Sequence, residues 1–147
     1  MKKMKINITI EPYIIGDYKN ISAVDNIYEI PASIADVAEC KEIIAEELID
    51  YIPVDNMLEV ITHYVSKLRL GGKIVLGGTD IIELSKDILH QNKTMIEANH
   101  EVFGDPRFPK RGFLALNDVA AILSHLGLKI TKQRLDGSKF IIEAIRE

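Results

Sequence analysis

Apolar and polar positions follow the two-residue period of strands near the start of the chain. Ile6, Ile8 and Ile10 alternate with polar residues, which predicts a strand. Residues 42–45, of which the last three are apolar, and the apolar run 74–76 instead predict strands covered on both faces of a parallel sheet. The chain therefore contains strand patterns of the two kinds found in α/β proteins.

One segment with the apolar spacing of a helix lies between the two buried runs, and another follows the second run. Between them, apolar residues of the segment 57–68 recur on one face of a helix that we expect Asp55 to cap and Gly71 to close in a left-handed conformation. After the second run, Asp80 or Thr79 is placed to cap another helix, and we favour Asp80. The apolar face of that helix comprises Ile81, Leu84, Ile88 and Met95.

The C-terminal third predicts one helix and one hairpin. Asn117 is a candidate N-cap, and Gly127 is placed to end the same helix. Residues 128–134 and 139–145 form two strand patterns joined by Asp136-Gly137, a strong hairpin signal. The hairpin would add an antiparallel edge to a mostly parallel sheet.

Three segments carry weaker patterns. Residues 20–24 fit a short second strand, residues 33–40 fit either a helical turn or an irregular loop, and residues 99–115 form the least regular part. The whole order predicts a Rossmann-like α/β fold, with a mostly parallel sheet flanked by helices and a C-terminal antiparallel hairpin.

Size and charge narrow the function classes. At 147 residues we expect a single domain, and the net charge of −4 argues against a nucleic acid or an anionic membrane as partner. No apolar run approaches the roughly 20 residues needed to span a bilayer. The single cysteine, Cys40, rules out an intrachain disulfide and fits a cytoplasmic protein with an inert, buried thiol.

Acidic residues cluster where a site would be expected. Glu46, Glu47 and Asp50 follow the buried run at 42–45, so they lie past the carboxyl end of a strand, where open α/β sheets place their ligands. They could act as an acid–base pair, bind a cation, or be solvated charges at a strand end. The four histidines show no metal-ligand spacing, so we expect no metal site.

Residues 42–53, 64–76 and 113–130 together resemble the class I S-adenosylmethionine-dependent methyltransferases, most closely the short members found near sugar-modifying enzymes. Residues 42–53 are similar to that family's pattern D-E-I-x-A-x-H-V-L-E-H-x-P, and residues 64–76 to R-V-L-K-P-G-G-x-L-x-I. Residues 113–130 are similar to F-x-x-x-x-L-x-x-L-L-x-x-x-G-F-x-V. The resemblance covers nearly the whole chain in order and implies the same fold.

The departures from the family concern its cofactor site. The family's first strand runs into a glycine-rich loop, N-L-G-C-G, whereas this chain continues with Ile8, Thr9, Ile10 and Glu11. β-Branched residues resist the left-handed conformations that such a loop uses, and Glu11 would repel the cofactor's carboxylate. The family's ribose-binding acid corresponds to Ser22, or to Asp25 if the alignment slips.

Glu47 and Tyr51 stand where the family carries paired histidines, and the resemblance places Ser22 and Glu46 along a vestigial pocket. It therefore implies a pseudoenzyme, a methyltransferase-like fold kept as a non-catalytic binding or assembly module. Such a module would use no cofactor and would bind a protein partner or a second copy of itself. The alternative is an active methyltransferase on a small molecule or sugar, with S-adenosylmethionine as cofactor and Glu47 or Tyr51 as the base.

Overall fold

The computed structural model describes residues 4–10, 14–22 and 34–147. Its helices are α1 (Met57–Lys67), α2 (Ile81–Leu89), α3 (Met95–Phe103) and α4 (Leu116–His125), with short 3₁₀ helices at Leu48–Tyr51 and Val54–Asn56. Its strands are β1 (Met4–Thr9), β2 (Lys19–Ser22), β3 (Cys40–Ala45), β4 (Leu68–Thr79), β5 (Gly104–Asp105), β6 (Phe108–Pro109), β7 (Leu128–Asp136) and β8 (Lys139–Arg146).

One six-stranded sheet, in the order β2-β1-β3-β4-β8-β7, organises the fold. The first four strands are mutually parallel, and β8 lies antiparallel between β4 and β7. The predicted α/β architecture with a closing antiparallel hairpin is therefore confirmed. The hairpin turn lies at Gly137-Ser138, one residue later than predicted, because Asp136 still pairs with Lys139.

The core forms where the central strands meet α1 and α4. Ile43, Ile74 and Ile142 on three neighbouring strands are fully buried, as is Ile61 on α1. The cluster continues to Leu123 on α4, so both helices pack against the same sheet. Burial of this apolar surface is the main favourable term in folding.

The glycine turn after α1 differs from the prediction. α1 ends at Lys67, so Gly71 does not close it but lies within β4, with a left-handed φ of 80°. The β3–β4 register jumps there, pairing Cys40 with Leu68 and then Glu42 with Lys73. Gly72 is needed in this bulge because an added Cβ would lie 2.8 Å from two carbonyl oxygens. Asp55 is also not the cap of α1, since it lies inside the preceding 3₁₀ turn.

Helix starts are confirmed at one predicted cap and corrected elsewhere. Asp80 caps α2, its Oδ1 accepting hydrogen bonds from the backbone of Ile82 at 2.9 Å and Glu83 at 3.0 Å. Met95 does not continue that helix, because Thr94 caps a separate α3. Asn117 is not a cap but the second residue of α4, whereas Gly127 does follow the helix with a left-handed φ of 84°.

The connection between β1 and β2 is unusually short for parallel neighbours. β1 ends at Thr9 and β2 begins at Lys19, which leaves nine residues, and the six of them that the structure describes are turn or coil. Parallel strands are usually joined by a dozen or more residues that include a helix. The predicted second strand is thus found at Lys19–Ser22, while residues 23 and 24 lie outside the described part.

The remaining weak patterns resolve into loop and turns. Residues 34–39, the described part of the segment before β3, form turns and coil, not a helix. Residues 99–115 contain the end of α3 and the two-residue strands β5 and β6. No helix within 4–10, 14–22 and 34–147 is long and apolar enough to cross a membrane.

Candidate functional site

A cavity of about 400 Å³ lies at the edge of the sheet where β3 and β4 end. This is the edge at which open α/β sheets place their ligands. The walls come from the strand ends, from β5 and β6, and from the β7–β8 hairpin. The lining residues are Ile10, Glu46, Glu47, Asp50, Tyr51, Gly78, Thr79, Asp105, Phe108, Lys110, Arg134, Asp136, Lys139, Phe140 and Ile141.

Two glycines at the end of β4 let the chain after β3 fold across it. A Cβ added to Gly77 would lie 2.1 Å from the carbonyl oxygen of Glu46 and 2.8 Å from that of Phe140. A Cβ on Gly78 would lie 2.8 Å from Oδ1 of Asp50. A side chain at Gly77 would collide with backbone atoms, and one at Gly78 would displace the carboxylate of Asp50.

Asp50 is buried at the base of the cavity, with 4% of its surface exposed. Its Oδ1 accepts a hydrogen bond from the backbone N–H of Thr79 at 2.8 Å, and its Oδ2 accepts one from Oγ1 of Thr79 at 2.7 Å. A buried carboxylate needs such partners, because an unpaired one would be strongly unfavourable. Asp50 thus fixes the 3₁₀ turn to the end of β4.

Lys110 completes this cluster from the opposite wall. Its Nζ lies 3.1 Å from Oδ2 of Asp50 and 3.2 Å from Oγ1 of Thr79, and the lysine side chain is 14% exposed. The carbonyl oxygen of Asp50 also accepts hydrogen bonds from the backbone of Arg111 at 2.7 Å and Gly112 at 3.2 Å. The carboxylate and the backbone carbonyl of Asp50 therefore both hold the segment 110–112 against the strand ends.

A second polar network fixes the hairpin turn to α3. Lys93 donates hydrogen bonds to Glu101 and to Oγ of Ser138, and Ser138 donates to Glu101 at 2.8 Å. Burial alone would raise the pKa of Glu101, but the hydrogen bonds from Lys93 and Ser138 hold it below its usual value. The turn of the hairpin is thereby anchored close to the cavity.

The candidate bases and the acidic cluster fall into different environments. Glu46 and Glu47 are exposed, Tyr51 is half-buried, and all three line the cavity. Asp50 is the buried member and is committed to Thr79 and Lys110. The sequence thus placed Glu46, Glu47 and Tyr51 at one cavity, but it did not indicate the partners of Asp50.

The residues that replace the glycine loop are largely buried. Ile8 is 3% exposed and Ile10 is 5% exposed, and of these two only Ile10 reaches the cavity. Thr9 ends β1 and is half-buried, while Ser22 is exposed at the end of β2 and does not line the cavity. Glu11 and Asp25 lie outside the described residues.

An asparagine pair closes the connection between β1 and β2. The side chain of Asn7 donates to Oδ1 of Asn20 at 2.9 Å, and the backbone N–H of Ile15 donates to the same oxygen at 3.1 Å. The amide of Asn20 donates in turn to the carbonyl oxygens of Ile15 and Tyr18. The connection therefore folds back on β2 through its own side chains.

Sequence reasoning missed the wall of the cavity that the β7–β8 hairpin forms. Arg134, Asp136 and Lys139 on the hairpin line it, yet they are separated from Glu46 by about ninety residues of chain. Lys110 belongs to the irregular segment but shows no pattern that points to Asp50. The one available signal was Gly77-Gly78-Thr79 at a strand end, because successive glycines there mark a close approach of another part of the chain.

In the described part of the chain, no group of three His, Cys, Asp or Glu side chains could hold a metal ion. His63 is half-buried on α1 and His125 is exposed on α4. Asp105 lines the cavity, but its carboxylate is bound by Arg107 at 2.8 Å, which holds its pKa down at about 2.

Cys40 is fully buried, and burial raises its pKa to about 11, with Glu39 adding to the effect. The burial expected from the sequence is therefore confirmed, and the inertness of the thiol stays a prediction. We expect the folded protein to react with a thiol-specific disulfide reagent at pH 8 at least 100-fold more slowly than the urea-unfolded chain, because the reactive thiolate is both rare and inaccessible. Equal rates, in a sample that circular dichroism shows to be folded, would contradict this burial.

Comparison with known proteins places the fold. No protein-family model and no curated protein matches the chain. Among solved structures, an O-methyltransferase family protein from Burkholderia thailandensis superposes over 90% of this chain and 36% of its own, with a TM-score of 0.60 and 14% identity. Magnesium protoporphyrin IX methyltransferase from Synechocystis PCC 6803, solved with bound S-adenosylhomocysteine, matches over 88% of this chain and 51% of its own, with a TM-score of 0.56 and 15% identity.

A third structure, a methyltransferase from Archaeoglobus fulgidus, covers 96% of this chain and 75% of its own, with a TM-score of 0.58 and 10% identity. The chain spans about a third to a half of the length of the first two structures. Identities this low carry the fold alone, and fold by itself does not transfer function. The chain has the fold of the class I S-adenosylmethionine-dependent methyltransferases.

Proposed function

We propose that this chain is a non-catalytic binding or assembly module, built on a methyltransferase fold, that does not use S-adenosylmethionine. The observation that supports this most is the connection between β1 and β2, which has nine residues and no helix among the six that are described. Dinucleotide- and nucleoside-binding sheets place their ligand at a glycine-rich turn followed by the N-terminus of a helix.

The residues present do not fit the cofactor. Ile8 near the end of β1 and Ile10 at the start of the connection are buried, β-branched side chains where a close ligand would need glycine. Glycine first occurs at Gly16, three residues before β2 begins. At the end of β2, exposed Ser22 offers a hydroxyl in place of the carboxylate that would hold the ribose.

Thermal unfolding in S-adenosylhomocysteine tests the proposal. At 1 mM ligand, a site with a Kd of 100 μM would add about 1.4 kcal/mol to the free energy of unfolding and raise the Tm by several degrees. We expect a Tm shift below about 1 °C. A known methyltransferase serves as positive control, and a concentration-dependent rise in Tm would overturn the proposal.

An active methyltransferase is the second candidate. Glu47 and Tyr51 line one cavity at the strand ends, and the structural neighbours described above are methyltransferases. Under this alternative, S-adenosylhomocysteine would bind, and Glu47→Gln or Tyr51→Phe would lower the rate of methyl transfer without weakening that binding. The thermal shift described above decides between the two candidates.

The proposal extends to partners and location. We place the domain in the cytoplasm, where a buried, reduced Cys40 is stable. Its partner would be a protein or a second copy of the chain, not a nucleic acid or a membrane. Analytical ultracentrifugation between 1 and 200 μM tests self-association.

A further inference from the structure

The charged residues around the cavity divide into those that are already paired and those that are not. Asp50 is paired with Lys110, and Asp105 is paired with Arg107. Within the described part of the chain, Glu46, Glu47, Arg134, Asp136 and Lys139 have no ion pair within 4.0 Å, although every one of them lines the cavity. Their charges are therefore available to a ligand.

The basic residues lie together on one face of the hairpin. Arg134 pairs with Ile141 across the two strands, and Asp136 pairs with Lys139. Side chains of directly paired residues share a face, as do residues two apart along a strand. All four therefore lie on the same face of the hairpin, and all four line the cavity. Their formal charges sum to +1, because Asp136 offsets one of the two cations.

The acidic residues lie on a different wall. Glu46 and Glu47 directly follow β3, which ends at Ala45, and both are exposed. The chain after β3 crosses the end of β4 at Gly77, where the carbonyl oxygens of Glu46 and of Phe140 on β8 lie within about 5 Å of each other. A ligand that contacts both walls can therefore be short.

The space between these walls carries apolar and neutral groups. Phe108 and Tyr51 contribute rings, and Gly78 leaves the end of β4 without a side chain. A volume of about 400 Å³ lies in the range of small-molecule sites. The cavity is thus negative at one wall, positive at the other and neutral between them.

We propose that this cavity binds a small zwitterion, with its amine against Glu46 and Glu47 and its phosphate or carboxylate against Arg134 and Lys139. This inference depends on the proposed function in one respect: both treat the cavity as a binding site. Hydrogen bonds between ionised partners are roughly twice as strong as neutral ones, so a ligand that meets both walls gains more than either charge alone. An arginine in one wall favours a planar or tetrahedral oxyanion there.

Calorimetric titration at low salt with four probes tests the inference: phosphoethanolamine, β-alanine, ethanolamine and inorganic phosphate. We expect one of the two zwitterions to bind at least tenfold more tightly than ethanolamine or phosphate, and the better of them identifies the anionic group. Equal affinities for a zwitterion and a single-charge probe, or no binding of either zwitterion at 10 mM, would overturn the inference.

Variants of each wall test which charged group of the ligand it binds. Glu46→Gln/Glu47→Gln should weaken zwitterion binding at least tenfold and leave phosphate binding unchanged or tighter. Arg134→Gln should weaken zwitterion and phosphate binding but not ethanolamine binding. Lys129→Gln, at the far end of β7 and not part of the cavity, is the matched control and should change none of these affinities. If the wall variants behave like this control, the inference is wrong.

The test is separable from that of the proposed function. Binding of a zwitterion together with S-adenosylhomocysteine would overturn the non-catalytic proposal and support this inference. Binding of neither ligand would overturn this inference and support the absence of the cofactor.

Discussion

Replacing Asp50 with alanine is expected to lower the free energy of unfolding by about 3–5 kcal/mol. The substitution removes the acceptors for the backbone and hydroxyl of Thr79, and it takes away the ion-pair partner of Lys110, whose side chain is largely buried. Removing one partner of a buried ion pair costs more than the pair contributes, because the remaining charge stays desolvated.

Urea unfolding of Asp50→Ala against the parent chain measures this loss. Asp55→Ala is the matched control, because Asp55 is exposed and has no such partners, and it should change stability by less than about 0.5 kcal/mol. The double variant Asp50→Ala/Lys110→Met should recover part of the loss, since it removes the orphaned charge as well. If Asp50→Ala behaved like Asp55→Ala, the buried cluster would not hold the fold together.

Replacing Gly77 with alanine should cost at least about 3 kcal/mol, at the upper end of overpacking penalties. The added methyl group would lie 2.1 Å from the carbonyl oxygen of Glu46 and 2.8 Å from that of Phe140. Both obstacles are backbone atoms, one in the turn after β3 and one in β8, so they cannot rotate away as a flexible side chain would. Either β4 separates from its neighbours or the turn at Glu46 shifts.

Thermal and urea unfolding of Gly77→Ala test this steric argument. Gly16→Ala is the control, because an added Cβ there meets nothing within 4 Å and the backbone is not left-handed. The control should leave the Tm unchanged or slightly raised, since alanine reduces the entropy of the unfolded chain. Equal Tm values for the two variants would mean that Gly77 is not under steric constraint.

The two variants probe the same arrangement from opposite sides. Gly77 lets the chain after β3 approach the end of β4, and Asp50 then fixes the approaching segment through Thr79. Because Glu46, Glu47 and Tyr51 belong to that segment, its position sets one wall of the cavity. Damage to either residue should therefore weaken ligand binding as well as stability.

The succession of strands along the chain could be predicted from the sequence because burial leaves a local pattern. The alternation of Ile6, Ile8 and Ile10 and the apolar run at 74–76 both mark strands of the sheet. Asp80 was predictable as a cap because its side chain satisfies backbone groups only two and three residues away. The hairpin was marked by Asp136-Gly137, within one residue of its turn.

Features that depend on residues far apart in the sequence could not be predicted from local patterns. Gly71 occupies the left-handed conformation that was expected, but in a strand bulge whose need arises from the register with Cys40 on β3. The pairing of Asp50 with Lys110 joins residues sixty positions apart, and nothing local indicates it. For the same reason, the sequence supplied the acidic wall of the cavity but not the basic one.

The connection between β1 and β2 is where this chain departs from what a cofactor-binding methyltransferase would need. The sheet keeps a strand order and a closing hairpin that superpose on methyltransferases, while β1 and β2 are joined by nine residues. The strand order belongs to the shared fold, whereas the proposal that the chain does not use the cofactor rests on this connection.

A crystal soaked in 10 mM S-adenosylhomocysteine tests the central claim most directly, because density either occupies the space beside Ile8, Thr9 and Ile10 or does not. We expect those isoleucines to remain packed, with no nucleoside density beside them. Continuous density for the ligand along β1 and β2, with its ribose near Ser22, would contradict the account and identify the chain as a cofactor-binding methyltransferase.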